Sequence, residues 1–152
     1  MPPNWADVRD QARALLARTR DLRILMYLLR AATRLDGLAG YHDGLRVLRG
    51  LVDTRWDHVF PLPDADDRDP YERGNALAAL ADRASLLDDL RAARIGSDRT
   101  ACTVGEVEQA FHDKNEAEAQ TVRASLRERI RASCEASPAI ADALTGCAAE
   151  LA

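Results

Sequence analysis

The segment from Trp56 to Pro70 is the one long stretch of this chain that cannot form a regular helix. It reads Trp-Asp-His-Val-Phe-Pro-Leu-Pro-Asp-Ala-Asp-Asp-Arg-Asp-Pro. Proline lacks the backbone N–H that a helix interior requires, and the residue before a proline avoids the helical conformation, so Pro61, Pro63 and Pro70 exclude helix here. Apolar residues at helical spacing flank the segment on both sides. The sequence therefore predicts a helical protein with one extended loop rich in proline and aspartate.

Three helices are predicted before this loop. The first has its apolar stripe between Trp5 and Leu16, the second covers residues 21–35, and the third runs from about Tyr41 until its pattern fades near Trp56. The second is apolar over a wide arc, which is typical of a central helix packed on several sides. We predict a short connection between the second and third helices, flanked by Gly37 and Gly40, because glycine readily takes the left-handed conformation that ends a helix. Such short connections predict antiparallel neighbours.

The chain after the loop begins with a helix-start signal. Asp69 can cap a helix, Pro70 suits its first position, and Glu72 follows three residues after the cap. We expect one continuous helix from this point, with the apolar stripe Leu77, Leu80, Ala84, Leu87 and Leu90.

The last third of the chain alternates breaks with helical patterns. Residues 95–100 interrupt the stripe, and Thr103 with Glu106 matches a capping box that opens a short helix ending near Phe111. A polar helix over 116–135 follows, and Ser137-Pro138 opens a final one with Ile140, Leu144, Cys147 and Leu151 in line. We predict an all-α, antiparallel bundle of about six to seven helices, in which residues 1–152 form a single domain.

The polar helix over 116–135 has an unusually narrow apolar stripe. It consists of Val122, Leu126 and Ile130. A stripe this narrow indicates a helix that is peripheral or one that packs against another surface. We therefore consider these three residues as a candidate self-association surface.

Charge argues against a phosphate-neutralising protein. The net charge is -4 and the sequence pI is about 5.4. Residues 1–63 carry ten Lys and Arg against seven Asp and Glu, whereas residues 64–152 carry eleven against eighteen. This asymmetry suits docking onto a complementary surface or onto a second copy, and it is equally compatible with an ordinary solvated surface.

Cysteine usage and hydropathy indicate a cytoplasmic protein. Cys102, Cys134 and Cys147 are odd in number and lack CxxC spacing, so neither a disulfide framework nor a zinc site is predicted. No stretch approaches the roughly 20 apolar residues that span a bilayer, and the start of the chain lacks the pattern of a signal peptide. We expect no membrane insertion.

No catalytic, cofactor or metal motif is complete. Asp64 and Asp66 match the first and third ligands of an EF-hand loop, but Arg68, Asp69 and Asn75 occupy the positions where the motif needs a ligand, a glycine and a glutamate. The histidines His42, His58 and His112 share no metal-binding spacing, and glycine-rich phosphate-binding motifs are missing. The sequence predicts no catalytic residue, no cofactor and no bound metal.

Two sets of residues are candidate contact surfaces. One is a polar strip on the second helix, which either is a solvated face or binds phosphate or an acidic partner. Its members are Arg23, Tyr27, Arg30 and Arg34. The other lies at the start of the loop and comprises Trp56, Phe60 and Leu62, which either hold the loop onto the core or face a partner.

An ordered series of sequence blocks resembles the ImpA-type N-terminal domain of the TssA family, which belongs to the bacterial type VI secretion system. The resemblance is strongest over residues 5–95, and residues 103–152 look like a helical extension. The blocks are Asn4-Trp5-Ala6-Asp7-Val8, Leu15-Leu16, Arg20-Asp21-Leu22-Arg23, Leu35-Asp36-Gly37-Leu38-Ala39-Gly40, Gly44-Leu45, Trp56 to Asp64, Arg73-Gly74-Asn75-Ala76-Leu77-Ala78-Ala79-Leu80 and, more weakly, Thr103-Val-Gly-Glu-Val-Glu-Gln-Ala.

The resemblance implies a function without catalysis. It is that of a cytoplasmic assembly factor which contacts baseplate, tube and sheath components, and a homo-oligomer is compatible with it. The block with Trp5 stands closer to the start than is usual in the family, and many members continue further, so the chain resembles a short or truncated member.

Two alternatives from other functional classes remain open. One is a small metal-dependent enzyme that uses Asp64, Asp66, Asp67 and Asp69. The other is a helical nucleic-acid-binding module that uses the arginine strip.

Overall fold

Helices make up most of the computed structural model, which describes residues 3–64, 66–96, 101–113 and 115–150. The elements are α1 (Trp5–Leu16), α2 (Leu22–Arg55), a 3-10 turn (Trp56–His58), α3 (Tyr71–Ala78), a second 3-10 turn (Ala79–Ala81), α4 (Leu86–Ala92), β1 (Arg94–Ile95), β2 (Cys102–Thr103), α5 (Val104–His112), α6 (Glu116–Ala136) and α7 (Pro138–Glu150). The predicted all-α class is confirmed. Within the described ranges, the short antiparallel pair β1–β2 is the only sheet.

The long element α2 is a helical hairpin that turns at Gly37. This residue has φ 62° and ψ -139°, a conformation that glycine adopts without a steric penalty. Beyond the turn, Gly40 packs on the Ala32 carbonyl and Gly44 on the Leu29 side chain, so the two halves run antiparallel. The predicted break is confirmed, but Gly40 lies inside the second half and serves as a point of close helix contact.

The continuous helix predicted after Pro70 is wrong, because the chain breaks between α3 and α4. The Asp82 carboxylate accepts hydrogen bonds from the Ala84 N–H at 3.0 Å and the Ser85 hydroxyl at 2.6 Å. A short side chain that bonds to nearby backbone competes with helix formation in this way. The helix start is also shifted, since Asp69 accepts a bond from the Tyr71 N–H while Pro70 occupies the cap position.

The C-terminal elements follow the prediction closely. Thr103 and Glu106 form both bonds of a capping box at the start of α5, as predicted. The helix predicted over 116–135 is α6, and the final helix is α7. Of the apolar line predicted for the final helix, Leu151 lies outside the described residues.

Two apolar clusters form the interior. The first lies within the α2 hairpin, α3 and α4, and comprises Leu22, Leu25, Met26, Leu29, Tyr41, Leu45, Leu48, Val59, Ala76 and Leu86. The second lies between the turn of the α2 hairpin and the C-terminal elements, and comprises Leu38, Ile95, Cys102, Ala110, Leu126 and Ala143. Leu90 of α4 packs against both clusters and so joins them.

Candidate protein-contact surface

A buried arginine organises the loop between α2 and α3. Arg73 is 1% exposed; its Nε donates to the Pro61 carbonyl at 2.7 Å and its Nη2 to the Val59 carbonyl at 2.8 Å. The ring of Trp56 covers the same guanidinium, with its centroid 4.4 Å from the Arg73 Cζ. A buried charge requires such polar partners, so Arg73 fixes the path of residues 56–61.

The start of α2 holds the other side of this loop. Phe60 donates its N–H to the Arg20 carbonyl at 2.8 Å, and the Leu22 N–H donates to the Phe60 carbonyl at 2.8 Å. These bonds form a parallel bridge between Asp21 and Phe60. Val59, the residue before Phe60, is fully buried in the first cluster. The loop is therefore attached to the helical body on two sides.

This attachment leaves the next two large apolar side chains on the surface. Phe60 is 44% exposed and Leu62 is 51% exposed. Trp56 is 38% exposed and presents one part of its ring to solvent while it stacks on Arg73. Trp56 therefore helps to hold the loop onto the protein, whereas Phe60 and Leu62 face outward, where a partner could contact them.

A groove of about 290 Å³ lies between α2 and the chain from Asn75 of α3 to Ser85. Arg23 and Tyr27 form part of one wall, Met26 and Ala76 lie deeper, and Tyr27 is 59% exposed. Arg23 binds the Asp21 carboxylate through two nitrogens, at 3.0 and 2.6 Å, which lowers the pKa of Asp21. Because Asp21 is also the bridge partner of Phe60, the groove and the exposed loop adjoin.

The other two arginines of the strip turn toward the protein itself. Arg30 donates to the Asp89 carboxylate at 2.9 Å, Arg34 pairs with the same carboxylate, and the Asp89 side chain is fully buried. Both guanidinium groups also lie on the Trp5 ring, with Cζ atoms 5.2 and 4.7 Å from its centroid. The strip thus divides into an outward half, Arg23 and Tyr27, and a half that connects α1, α2 and α4.

The aspartate cluster holds its own loop together. The carboxylates of Asp64, Asp67 and Asp69 each accept a bond from the backbone N–H two residues later, at 2.8, 2.8 and 2.9 Å. Such bonds are typical of turns rich in aspartate. In the described part of the chain, no group of three or more His, Cys, Asp or Glu side chains is placed to hold a metal ion.

The candidate self-association stripe on α6 is mostly occupied by the chain's own core. Leu126 is buried in the second cluster and Ile130 packs against that cluster. Val122 is 48% exposed beside a groove of about 390 Å³ between α5 and α6. A neighbouring molecule would therefore meet Val122 before the other two residues.

Sequence reasoning missed Arg73 and Asp89 as central residues, although a signal was available. Arg73 shares helical spacing with Ala76, Leu77 and Leu80, and Asp89 with Leu86 and Ala93. A charged residue at the position of an apolar stripe indicates a buried charge with a dedicated partner.

Comparison with known proteins identifies the family. A sequence model described as ImpA, N-terminal, type VI secretion system matches residues 1–82, more than half of the chain. The chain belongs to the TssA family.

Two TssA relatives support this assignment. The chain is 49% identical over 80 residues to the type VI secretion system component TssA1 of Pseudomonas aeruginosa, a match that covers 52% of this chain and 23% of that protein. It also resembles a solved N-terminal domain, including the conserved ImpA_N region, of TssA from Burkholderia cenocepacia. The TM-score is 0.59 at 26% identity, covering 97% of this chain and 66% of that structure.

None of the helices in the ranges described above combines the length and apolar character needed to cross a bilayer.

Proposed function

We propose that this chain is a non-enzymatic adaptor domain of a type VI secretion assembly protein. It contacts baseplate, tube or sheath components in the bacterial cytoplasm while the tail is built. Membership of the TssA family supports a structural role in the apparatus. The observation that carries the proposal is the pair Phe60 and Leu62, which a buried arginine and a backbone bridge hold in exposed positions.

The contact surface includes the adjoining groove. Exposed aromatic residues beside a shallow groove can supply the apolar centre of an interface, and Arg23 can supply a polar contact at its rim. Tyr27 and Arg23 line the groove between α2 and α3, and Phe60 adjoins it through Asp21. Trp56 supports this surface through its stack on Arg73, while Arg30 and Arg34 support it by fixing α2 against α4.

The proposal is tested by partner capture. The purified chain and the double variant Phe60→Ser, Leu62→Ser are each mixed with purified baseplate, tube and sheath components of the cognate system. We expect the original chain to retain at least one component and the variant to lose it, with an unchanged thermal unfolding curve. The matched control is Phe111→Ser, because Phe111 is 58% exposed on α5 and lies outside the proposed surface. Equal capture by the double variant and the original chain would contradict this surface.

No observation favours the metal-dependent enzyme or the nucleic-acid-binding module. The aspartates of the loop bind backbone amides, and two of the strip arginines pair with Asp89. Calorimetric titration with calcium, magnesium and manganese, and a mobility-shift assay with DNA at low salt, test these two functions directly.

A further inference from the structure

Two short segments carry most of the charge imbalance of this chain. Residues 56–72, the acidic loop, contain six Asp and Glu and one Arg, which gives -5, whereas the whole chain has a net charge of -4. Residues 13–20, the basic turn, contain Arg13, Arg18 and Arg20 and no carboxylate. The chain outside the acidic loop is therefore slightly positive.

The two segments lie side by side. The Phe60 N–H of the acidic loop donates to the Arg20 carbonyl of the basic turn, and Phe60 in turn accepts from Leu22 directly after that turn. Arg18 and Thr19 donate their N–H groups to the Leu15 carbonyl, so the turn continues α1 toward this junction. Opposite charges thus occupy neighbouring parts of one surface.

The opposite charges do not neutralise each other within the chain. Arg13, Arg18 and Arg20 are exposed, and over the described residues none of them forms an ion pair. The same holds for the exposed carboxylates of the acidic loop that precede Tyr71, namely Asp57, Asp64, Asp66, Asp67 and Asp69. Three of these are held in place by backbone amides, which limits how far they can move toward the basic turn.

Exposed apolar side chains accompany both segments. Leu15 in the basic turn is 48% exposed, and Phe60 and Leu62 belong to the acidic loop. An interface between copies of a protein needs apolar contact in addition to charge, because exposed ion pairs alone contribute little.

We propose that a second copy of this chain docks on this surface about a two-fold axis. In a two-fold interface each residue pair occurs twice, so a surface with adjacent acidic and basic segments is complementary to itself after rotation. The basic turn of one copy lies on the acidic loop of the other, and Leu15 packs beside the loop. This self-association goes beyond the adaptor function. Because it uses the acidic loop that carries Phe60 and Leu62, it competes with the adaptor contact for that surface.

Sedimentation velocity on the complete chain tests the proposal. We expect a dimer at about 0.05 M salt that dissociates at about 0.5 M, because screening shortens the range of surface electrostatics. The double variant Arg18→Glu, Arg20→Glu places like charges together at both copies of the contact, and roughly tenfold weaker association is expected. The triple variant Asp57→Lys, Asp66→Lys, Glu72→Lys changes the acidic loop from -5 to +1 and is expected to weaken association similarly.

Mixing the two charge-reversed variants is the decisive experiment. In a mixed dimer the reversed turn of one copy, at -1, faces the reversed loop of the other, at +1. The one remaining contact joins an original turn to an original loop, so both contacts join opposite charges. We therefore expect the mixture to associate roughly tenfold more tightly than either variant alone. The control Arg46→Glu, Arg127→Glu reverses two exposed arginines elsewhere and should leave the dimer intact.

Three results would overturn the proposal. The first is a monomer at low salt, including one that binds a basic polypeptide such as polylysine, which would indicate a basic partner of another kind. The second is a dimer that survives both reversals, which would place the interface elsewhere. The third is a mixture of correctly folded variants, checked by circular dichroism, that stays monomeric.

Discussion

Arg73 lies beneath Trp56, with its Cζ atom 4.4 Å from the centroid of the indole ring. The same guanidinium donates hydrogen bonds to the carbonyl groups of Val59 and Pro61, in the loop that begins at Trp56. One side chain from α3 therefore holds a whole turn of the preceding loop. The arrangement explains how a loop with three prolines keeps a defined path between two helices.

Replacement of Arg73 by methionine should destabilise the protein strongly. The substitution leaves the buried Val59 carbonyl without its donor and removes two hydrogen bonds to a charged group, and we expect the free energy of unfolding to fall by about 3–5 kcal/mol. Urea denaturation measures this change. The control Arg46→Met, at an exposed site on α2, should alter it by less than about 0.5 kcal/mol. Similar losses in both variants would refute the special role of Arg73.

Replacement of Asp89 by asparagine should loosen the contact of α1 with α2. Asp89 is the buried partner of Arg30 and Arg34, and both arginines support Trp5. We expect the free energy of unfolding to fall by about 2–4 kcal/mol. This is at or below the usual range for a broken buried ion pair, because the arginines keep some solvent contact. Exposed Asp88→Asn is the matched control. A double-mutant cycle with Trp5→Leu should give a coupling energy above about 0.5 kcal/mol, and strict additivity would contradict the connection.

Two glycines of α2 should respond to alanine in opposite directions. A Cβ on Gly40 would lie 2.2 Å from the Ala32 carbonyl oxygen, so Gly40→Ala forces the hairpin apart and should cost about 1–3 kcal/mol. A Cβ on Gly50 meets no atom within 4 Å, so Gly50→Ala should stabilise the helix by about 0.5–1 kcal/mol. Thermal or urea unfolding of both variants distinguishes these effects, and equal shifts would disprove the close crossing.

Acid should weaken the fold in a defined pH range. Hydrogen bonds lower the pKa of four carboxyl groups: Asp21 through Arg23, Asp82 through Ser85, Glu106 through the Thr103 N–H, and Glu108 through Arg91. Each folded pKa lies below its unfolded value, so the unfolded state takes up protons first. The stabilisation is complete above about pH 5, where the carboxyl groups are ionised in both states, and it is lost as pH falls through the unfolded and then the folded values.

Urea midpoints at several pH values below 7 measure this acid dependence. Glu106→Gln keeps a side chain that can complete the capping box but removes its charge, so its midpoint should fall less steeply with acid. Exposed Glu118→Gln on α6 is the control. A steeper acid response in Glu106→Gln than in the original chain would contradict the assignment.

Features set by neighbouring residues were predictable from the sequence. The capping box of Thr103 and Glu106, the break at Gly37 and the non-helical loop after Trp56 each depend on a few adjacent positions, and each is present. The pairing of β1 with β2 was not predicted, because it joins two-residue strands whose pattern is too short to be recognised. The break at Asp82 was missed because an apolar stripe continued across it.

The candidate surface was only partly predictable. The arginine strip on α2 was recognised, yet its division into outward and inward halves depends on Asp89, which lies 59 positions after Arg30. In the same way, the direction of Phe60 depends on backbone bonds to Arg20 and Leu22. Spacing along one helix does not contain such long-range information.

The position of α4 has a practical consequence for cutting this protein into fragments. The match to the family model ends at residue 82, but Leu86 lies in the first apolar cluster and Asp89 pairs with Arg30 and Arg34 from beyond that boundary. A fragment that ends at residue 82 would lack the Leu86 side chain in the first apolar cluster, and its two arginines would lack the Asp89 carboxylate. A recombinant fragment that contains residues 1–82 should therefore extend at least through Ala92.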